Sequence, residues 1–424
     1  MSRPAPLRSI LGGAAGNLVE WFDWYVYSAF SLYFAKAFFP GQDQTAQFLA
    51  TSGIFWIGFL MRPIGGWLLG RIGDRHGRRT ALAWSVALMG GGSLLLAATP
   101  VYSSIGLAAP IMLMLARIIQ GLSLGGEYGA AATYLSEIAP EGRRGFWSSF
   151  QYVTLYGGQL LALALLLGLQ AGGASEAALS SWGWRLAFVV GAMLAFGIYW
   201  LRRGIDETPE FQAEPTAERR AGGGLADLWR NHRRSVLIAF GLAVGSNVAF
   251  YTYTTYMQKY LVGTSGFAKP VASQICAAAT MIAILLQPLL GGLSDRIGRK
   301  PLLYWFAIGG IVATVPLMTA IGRTHDPRVA FALVLAALVI LSGATATSAI
   351  VKAELFPPHV RALGVGLPYA LSQSLFGGSA EALALKLKQA GHETYYFWYV
   401  TAMIGVALIA TIAMRPYRAG SDGK

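Results

Sequence analysis

Charge is scarce in this sequence. Asp, Glu, Lys and Arg make up 12% of its 424 residues, against roughly 25% in ordinary soluble domains. Hydrophobic residues make up 55%, and the mean hydropathy is +0.50. So little charge cannot cover so much apolar surface in a soluble globule, and lipid must be part of the solvent. Cysteine is scarcer still. Cys276 stands alone, which excludes an intramolecular disulfide, and its place in an apolar run suits a small buried side chain. Missing as well are a G-x-x-x-x-G-K-[ST] phosphate loop, an H-E-x-x-H pair and any Cys/His metal spacing. The five histidines (76, 232, 325, 359 and 392) fall in or beside connections rather than clustering. No catalytic constellation, metal site or cofactor is expected, so the protein should be neither an enzyme nor an ATP-driven pump. Energy for any transport should come from an ion gradient. An amino-terminal cleavable signal is not visible either: 2–8 is short and polar, and the run after it carries Glu20 and Asp23.

What the chain does have is twelve apolar runs near the ~20 residues that cross a bilayer. They lie at 14–38, 49–70, 80–99, 107–130, 146–169, 182–203, 234–261, 270–293, 301–321, 329–352, 362–386 and 393–414. Basic residues crowd alternate connections, at 71–79, 143–144, 202–234, 296–300 and 361, and near both ends. The connections 41–48, 100–106 and 170–181 hold no Lys or Arg. This bias places both termini in the cytoplasm and makes the net charge of +13 an orientation signal, not a nucleic-acid footprint. The longest polar stretch, 204–233, reads as a cytoplasmic loop joining six-helix halves at 1–203 and 234–424. Its segment 225–234 suits a short helix at the membrane surface.

A basic turn occurs once per half. Gly70, Asp74, Arg75, Gly77, Arg78 and Arg79 return as Asp295, Arg296, Gly298 and Arg299 after Gly291 and Gly292. Such duplication suits two similar bundles rocking around a central site. Charge inside a span costs about 2.5–3.5 kcal/mol at the bilayer centre, so intramembrane ions normally face a cavity or one another. Asp23 and Glu20 in span 1 lie three apart, on one helical face. Arg117 in span 4 falls at a similar depth, so Asp23 and Arg117 can pair between neighbouring helices. Either the pair is static and fixes packing, or Arg117 meets an anion while a carboxylate titrates. Burial favours the neutral carboxyl and a nearby cation the charged one, so such a pair can exchange a proton against ligand binding. Arg62, before Pro63, either lines the cavity or snorkels to the inner interface. Glu127, Lys352 and Glu354 lie nearer the cytoplasmic ends, where gate or interface charges are expected. Gly121, Gly125 and Gly129 form a ridge for close helix approach. Polar and aromatic stripes (Tyr152, Tyr156 and Gln159; Asn247, Tyr251, Thr254 and Gln258; Tyr369 and Gln373) fit interhelical hydrogen bonding singly. As a group they favour a wet central cavity.

The repeated turn and the twelve spans resemble the major facilitator superfamily. Within it, GNLVEWFD at 16–23, RPIGG at 62–66 and the run from Arg117 to Tyr128 resemble the metabolite:proton symporter family. SFQYVTL at 149–155, FYTYTTYMQKYL at 250–261, KAELFP at 352–357 and FGGSAE at 376–381 are similar to its 2-oxoglutarate (alpha-ketoglutarate) carriers. The resemblance implies an all-α membrane protein of twelve transmembrane helices in two pseudo-symmetric six-helix bundles. It also implies a single-chain carrier that imports a dicarboxylate with protons across the bacterial inner membrane by alternating access. Arg117 is then the first candidate for the substrate anion, with Arg62 and Lys352 as candidates for a second cation. Tyr152, Tyr156, Gln159, Tyr251, Gln258 and Gln373 would complete the coordination. Asp23, Glu20 and Glu127 are the proton-coupling candidates, and the repeated turns brace the cytoplasmic gate. Sister carriers of citrate, shikimate or proline and betaine share nearly the same scaffold. A non-transporting receptor built on it would carry a large soluble extension.

Overall fold

The structure, a computed structural model, describes residues 7–76, 78–123, 132–133, 135–136, 139–140, 142–202 and 225–414. These residues are helical almost throughout, with no strand among them. Eight described stretches are long and apolar enough to cross a membrane. They are Gln44–Leu69, Arg144–Ala171, Glu176–Trp200, Arg233–Gly263, Lys269–Ile297, Lys300–Arg323, Pro327–Glu354 and Glu393–Ala413, that is, spans 2, 5 to 10 and 12. Span 1 is the helix Leu7–Phe38, whose apolar run is interrupted by Glu20 and Asp23. Span 3 is Arg78–Ala98, and span 4 begins with Ala108–Ser123. Span 11 comprises Pro358–Ser372, a wide turn at Gln373–Gly377 and Ala380–Gln389. The fold is thus the expected twelve-helix one. Several helices outrun the apolar runs because their ends are satisfied by polar caps. Asp43 accepts the Ala46 N–H at 3.0 Å ahead of span 2, and Asp326 accepts the Arg328 N–H at 2.8 Å ahead of span 10.

Two irregularities shape the interior. Pro63 has no N–H for the carbonyl of Phe59, and span 2 hitches at Met61 between Gln44–Leu60 and Arg62–His76. Spans 7 and 11 each contain a π-turn, at Thr252–Tyr256 and Gln373–Gly377. A π-turn inserts one extra residue and shifts carbonyls out of the regular ladder, a feature frequent at functional sites. In span 11 the Gly378 N–H reaches back to Gln373 at 2.7 Å. The Ser374 carbonyl is left free to turn toward span 2.

Burial separates inner from outer helices. Span 7 buries 83% of its apolar window, whereas spans 9 and 12 bury 39%, so span 7 lies against the other half and the latter two face outward. Trp67, Trp200, Leu289, Val312 and Ile409 point away from the protein, as lipid-facing residues do. The halves meet where span 2 packs on span 11 and span 5 on span 8. Cys276 is buried, as its apolar setting suggests.

Residues 203–224 of the central connection lie outside the described residues. Its end forms the helix Leu225–Asn231, within the expected 225–234 segment. That helix buries Leu228 against Val236, Ala239, Ala353, Phe356 and Val360, which anchors it to the second half. It also corrects one expectation. His232 and His359 do come together, with ring centroids 6.1 Å apart, and Asp227 lies 3.6 Å from His359. Distant connections converge there because the helix folds back under span 11.

Candidate functional site

Arg117 is completely buried near the middle of the first half. Its guanidinium carbon lies 3.8 Å from the Trp24 ring centre, 4.5 Å from Tyr27 and 5.2 Å from Phe55. Such stacking uses the planar guanidinium, and a lysine would not reproduce it. Nη1 donates to Gln120 Oε1 at 2.7 Å, while Nε and Nη2 have no hydrogen-bond partner among the described residues. The expected contact with Asp23 is indirect. Asp23 accepts from Gln120 Nε2 and from the Ser93 hydroxyl, so Gln120 stands between carboxylate and guanidinium. Gln120 escaped the sequence reading, although its place three residues after Arg117 puts it on the same helical face.

Arg62 is also buried and does not snorkel outward. It stacks at 4.0 Å over Phe59, 4.5 Å over Trp24 and 5.1 Å over Trp21. Trp24 therefore carries both guanidiniums. Arg62 Nη1 donates to Gln373 Oε1 in the other half, and its Nε and Nη2 have no hydrogen-bond partner among the described residues. Buried Glu20 acts on Arg62 electrostatically. The irregular backbones complete this junction. Ser374 Oγ donates to the Phe59 carbonyl, the one released by Pro63, at 2.7 Å. Trp56 Nε1 donates to the Ser374 carbonyl, freed by the π-turn, at 2.7 Å. Gln373 also accepts from Tyr251 Oη at 3.3 Å and donates to Tyr369. Gly378 makes this approach feasible, since a Cβ there would stand 2.7 Å from Phe59 Cβ.

The remaining candidates divide by position. Tyr152 and Tyr156 are buried in span 5 and meet Phe250 of span 7 at 5.8 and 5.3 Å between ring centres, again across the halves. Gln159 and Gln258 line one small crevice with Tyr25, Thr254 and Cys276. Gln258 there donates to Ser273 at 2.7 Å, within its own half. Asn247 bonds Ser372 at 3.1 Å, while the Thr254 hydroxyl returns to the Phe250 carbonyl at 2.6 Å. The π-turn thus splits the span 7 stripe between different neighbours. Lys352 is buried, donating to Ser348 at 2.7 Å with the Tyr369 ring at 4.8 Å. Glu127, Gly125 and Gly129 lie outside the described residues; Gly121 packs on Gly58, its would-be Cβ 2.1 Å from the Gly58 carbonyl oxygen.

The second repeated turn is the more fully described. Asp295 caps the first turn of span 5 across the halves, accepting the N–H groups of Gly145 at 2.7 Å and Phe146 at 2.9 Å. Arg299 holds that carboxylate at 2.8 Å and pairs with Glu354 of its own half at 3.2 Å. Gly298 has φ +88°, a left-handed turn that suits glycine. Arg296 is exposed. In the first copy Gly70 lies within the helix Arg62–His76. Gly77 and the side chains of Asp74, Arg75, Arg78 and Arg79 lie outside the described residues.

One cluster was not singled out from the sequence. Near the face opposite the repeated turns, Glu381 of span 11 accepts on Oε1 from Lys259 Nζ of span 7 and from Ser52 Oγ of span 2. Lys259 and Glu381 are each 2% exposed. The rule that flags intramembrane ions applied equally to them. The arrangement as a whole offers cationic N–H donors, aromatic walls that exclude water, and buried carboxylates. It offers no activated nucleophile.

A family model described as the Major Facilitator Superfamily matches residues 13–380. The alpha-ketoglutarate permease of Escherichia coli (strain K12) is 52% identical over 406 residues, 96% of this chain and 93% of that protein. The citrate-proton symporter of Salmonella typhi is 33% identical over 429 residues, covering 98% of this chain and 95% of that one. Among solved structures, the D-xylose-proton symporter superposes with a TM-score of 0.76 over 97% of this chain and 98% of that chain, at 19% identity, and so shares the fold.

Proposed function

This chain belongs to the Major Facilitator Superfamily, and we propose that it imports the dicarboxylate 2-oxoglutarate together with protons by alternating access. One observation carries the substrate class. Two buried guanidiniums, Arg117 inside the first half and Arg62 at its seam with the second, share Trp24 and keep N–H groups with no hydrogen-bond partner among the described residues. Two neighbouring cations taken out of water are costly unless anions reach them, and a dianion supplies two. Arg62 lies on the seam and bonds the second half through Gln373. An anion there can report its presence to both bundles. Tyr251, Tyr152, Tyr156 and Gln159 complete the lining, with Gln258 and Lys352 farther along span 7 and span 10. The 52% identity to alpha-ketoglutarate permease supports 2-oxoglutarate among the dicarboxylates. The citrate-proton symporter at 33% keeps a tricarboxylate carrier as the second reading.

Asp23 is our first candidate for proton coupling, because Gln120 links it to Arg117 and an anion on Arg117 would act on it through that bridge. Glu20 is placed to respond to Arg62, and Glu127 remains a further candidate. The rocking halves are 1–203 and 234–424, joined through 204–233. The face bearing the repeated turns is cytoplasmic by its basic residues, as are both termini, in the inner membrane of a bacterium. Each chain contains both halves and so works as a monomer. Uptake of labelled 2-oxoglutarate in competition with succinate, citrate, shikimate and betaine tests the substrate. Strong inhibition by succinate and weak inhibition by betaine are expected; citrate outcompeting 2-oxoglutarate would transfer the assignment to citrate.

A further inference from the structure

We propose that Glu381 is a second proton-carrying residue of the transport cycle, loaded from the face opposite the repeated turns, with Lys259 as its counter-ion and Ser52 as its reporter of the other half. The inference rests on the symport reading above and names a site outside the arginine cluster.

Glu381 and Asp23 are both buried carboxylates, but they are built differently. Asp23 receives a donor on each oxygen, Ser93 on Oδ1 and Gln120 on Oδ2, all within the first half. Its surroundings travel with it when the halves rock. Glu381 has both donors on Oε1, while Oε2 is buried with no hydrogen-bond partner among the described residues. One of those donors, Ser52, belongs to the opposite half. Span 2 and span 11 must separate for this face to open, and Ser52 then leaves while water reaches Oε2. Asp23 is thus coupled through the anion on Arg117. A carboxylate coupled directly to the opening of a face requires surroundings that differ between the two states, since only a differential interaction can link a proton to a conformational change.

Depth agrees with that role. At 1.5 Å per helical residue, Glu381 lies about 12 Å from the end of its helix at Gln389 and Lys259 about 6 Å from Gly263. The pair sits within reach of water entering from that face. The other groups facing Glu381 are Tyr27 from span 1 and Tyr396 from span 12, which act on it electrostatically and carry no charge at neutral pH. Lys259 is therefore the one described cation that holds the carboxylate. A proton arriving on Glu381 cancels the ion pair and leaves the ammonium free for an incoming anion. Discharge toward the repeated-turn face restores the pair and brings Ser52 back. Phe48, 5.9 Å from Lys259 Nζ, walls the site from span 2.

The test separates exchange from accumulation. Full-length protein in proteoliposomes is assayed for exchange of labelled 2-oxoglutarate at equal pH and for accumulation under an acid-outside gradient. Glu381→Gln should lose at least about ten-fold in gradient-driven accumulation but only about two-fold in exchange, and Glu381→Asp should regain the gradient response. Accumulation by Glu381→Gln equal to wild type would overturn the proposal. Should Glu381→Gln lose exchange as well, the pH profile of Glu381→Asp decides: a displaced profile supports a proton site, and an unchanged profile or an inactive protein overturns it. A wild-type protein that ignores the gradient would instead sink the symport reading itself.

Discussion

Burying Arg117 costs about 2.5–3.5 kcal/mol on insertion scales, and stacking on Trp24 and Tyr27 returns roughly 0.5–2 kcal/mol per ring. With its Nε and Nη2 unpartnered among the described residues, the residue is a poor structural element and a good anion receptor. Arg117→Ala should lower the initial rate of 2-oxoglutarate uptake about a hundred-fold, with the membrane level of the protein unchanged in immunoblots of isolated membranes. Arg117→Lys should recover less than about a tenth of the wild-type rate, because an ammonium cannot stack and fork as a guanidinium does. A near-normal rate in Arg117→Ala would remove Arg117 from the site. Much of this residue-scale picture was legible in the sequence: Arg117, Arg62, Asp23 and Glu20 are ions where lipid forbids idle ones. Gln120 and Ser93 were not legible. Neutral polar side chains pay little for insertion, so nothing in composition marks them, and only the packing of spans 1, 3 and 4 shows what they bridge.

Elements carry the second layer. The positions of the helices and the repeated turn follow from apolar runs and basic punctuation, so all twelve spans could be placed, though not their capped ends. The π-turns could not. Nothing in TYTTY or QSLFG breaks the helical pattern; in span 11 the π-turn accompanies the bonds of Ser374 with Trp56 and Phe59 across the seam. The crossing of spans 5 and 8 is tighter still. A Cβ at Gly145 would lie 2.4 Å from Ser294 Oγ and 2.5 Å from the Gly291 carbonyl. Gly145→Val should therefore hold the repeated-turn face apart. With Cys276→Ser as background and Ser149→Cys as reporter, maleimide labelling should accelerate and uptake fall about ten-fold. Labelling no faster than in the parent would show that this crossing is not the gate.

At the scale of the molecule, contacts join the halves at three depths: Asp295 on span 5 at one face, Arg62 with Gln373 midway, and Ser52 with Glu381 toward the other. Near that second face Lys269 of span 8 also pairs with Glu176 of span 6. Among the described residues, contacts between the halves thus lie toward both faces as well as beside the arginine pair. Linking positions 176 and 269 as cysteines in the Cys276→Ser background with a short cleavable reagent should stop uptake, and cleaving the link should restore it. Uptake that continues through the link would mean that the halves need not part there. The duplicated turn announced two halves; which residues face the seam depends on the rotation of each bundle, which no helical wheel fixes. The most direct test of coupled dicarboxylate import is uptake of labelled 2-oxoglutarate into proteoliposomes with and without an imposed pH gradient, acid outside. Accumulation above the external concentration only when the gradient is present, abolished by a protonophore, is the predicted result. Equal uptake in both conditions would contradict it.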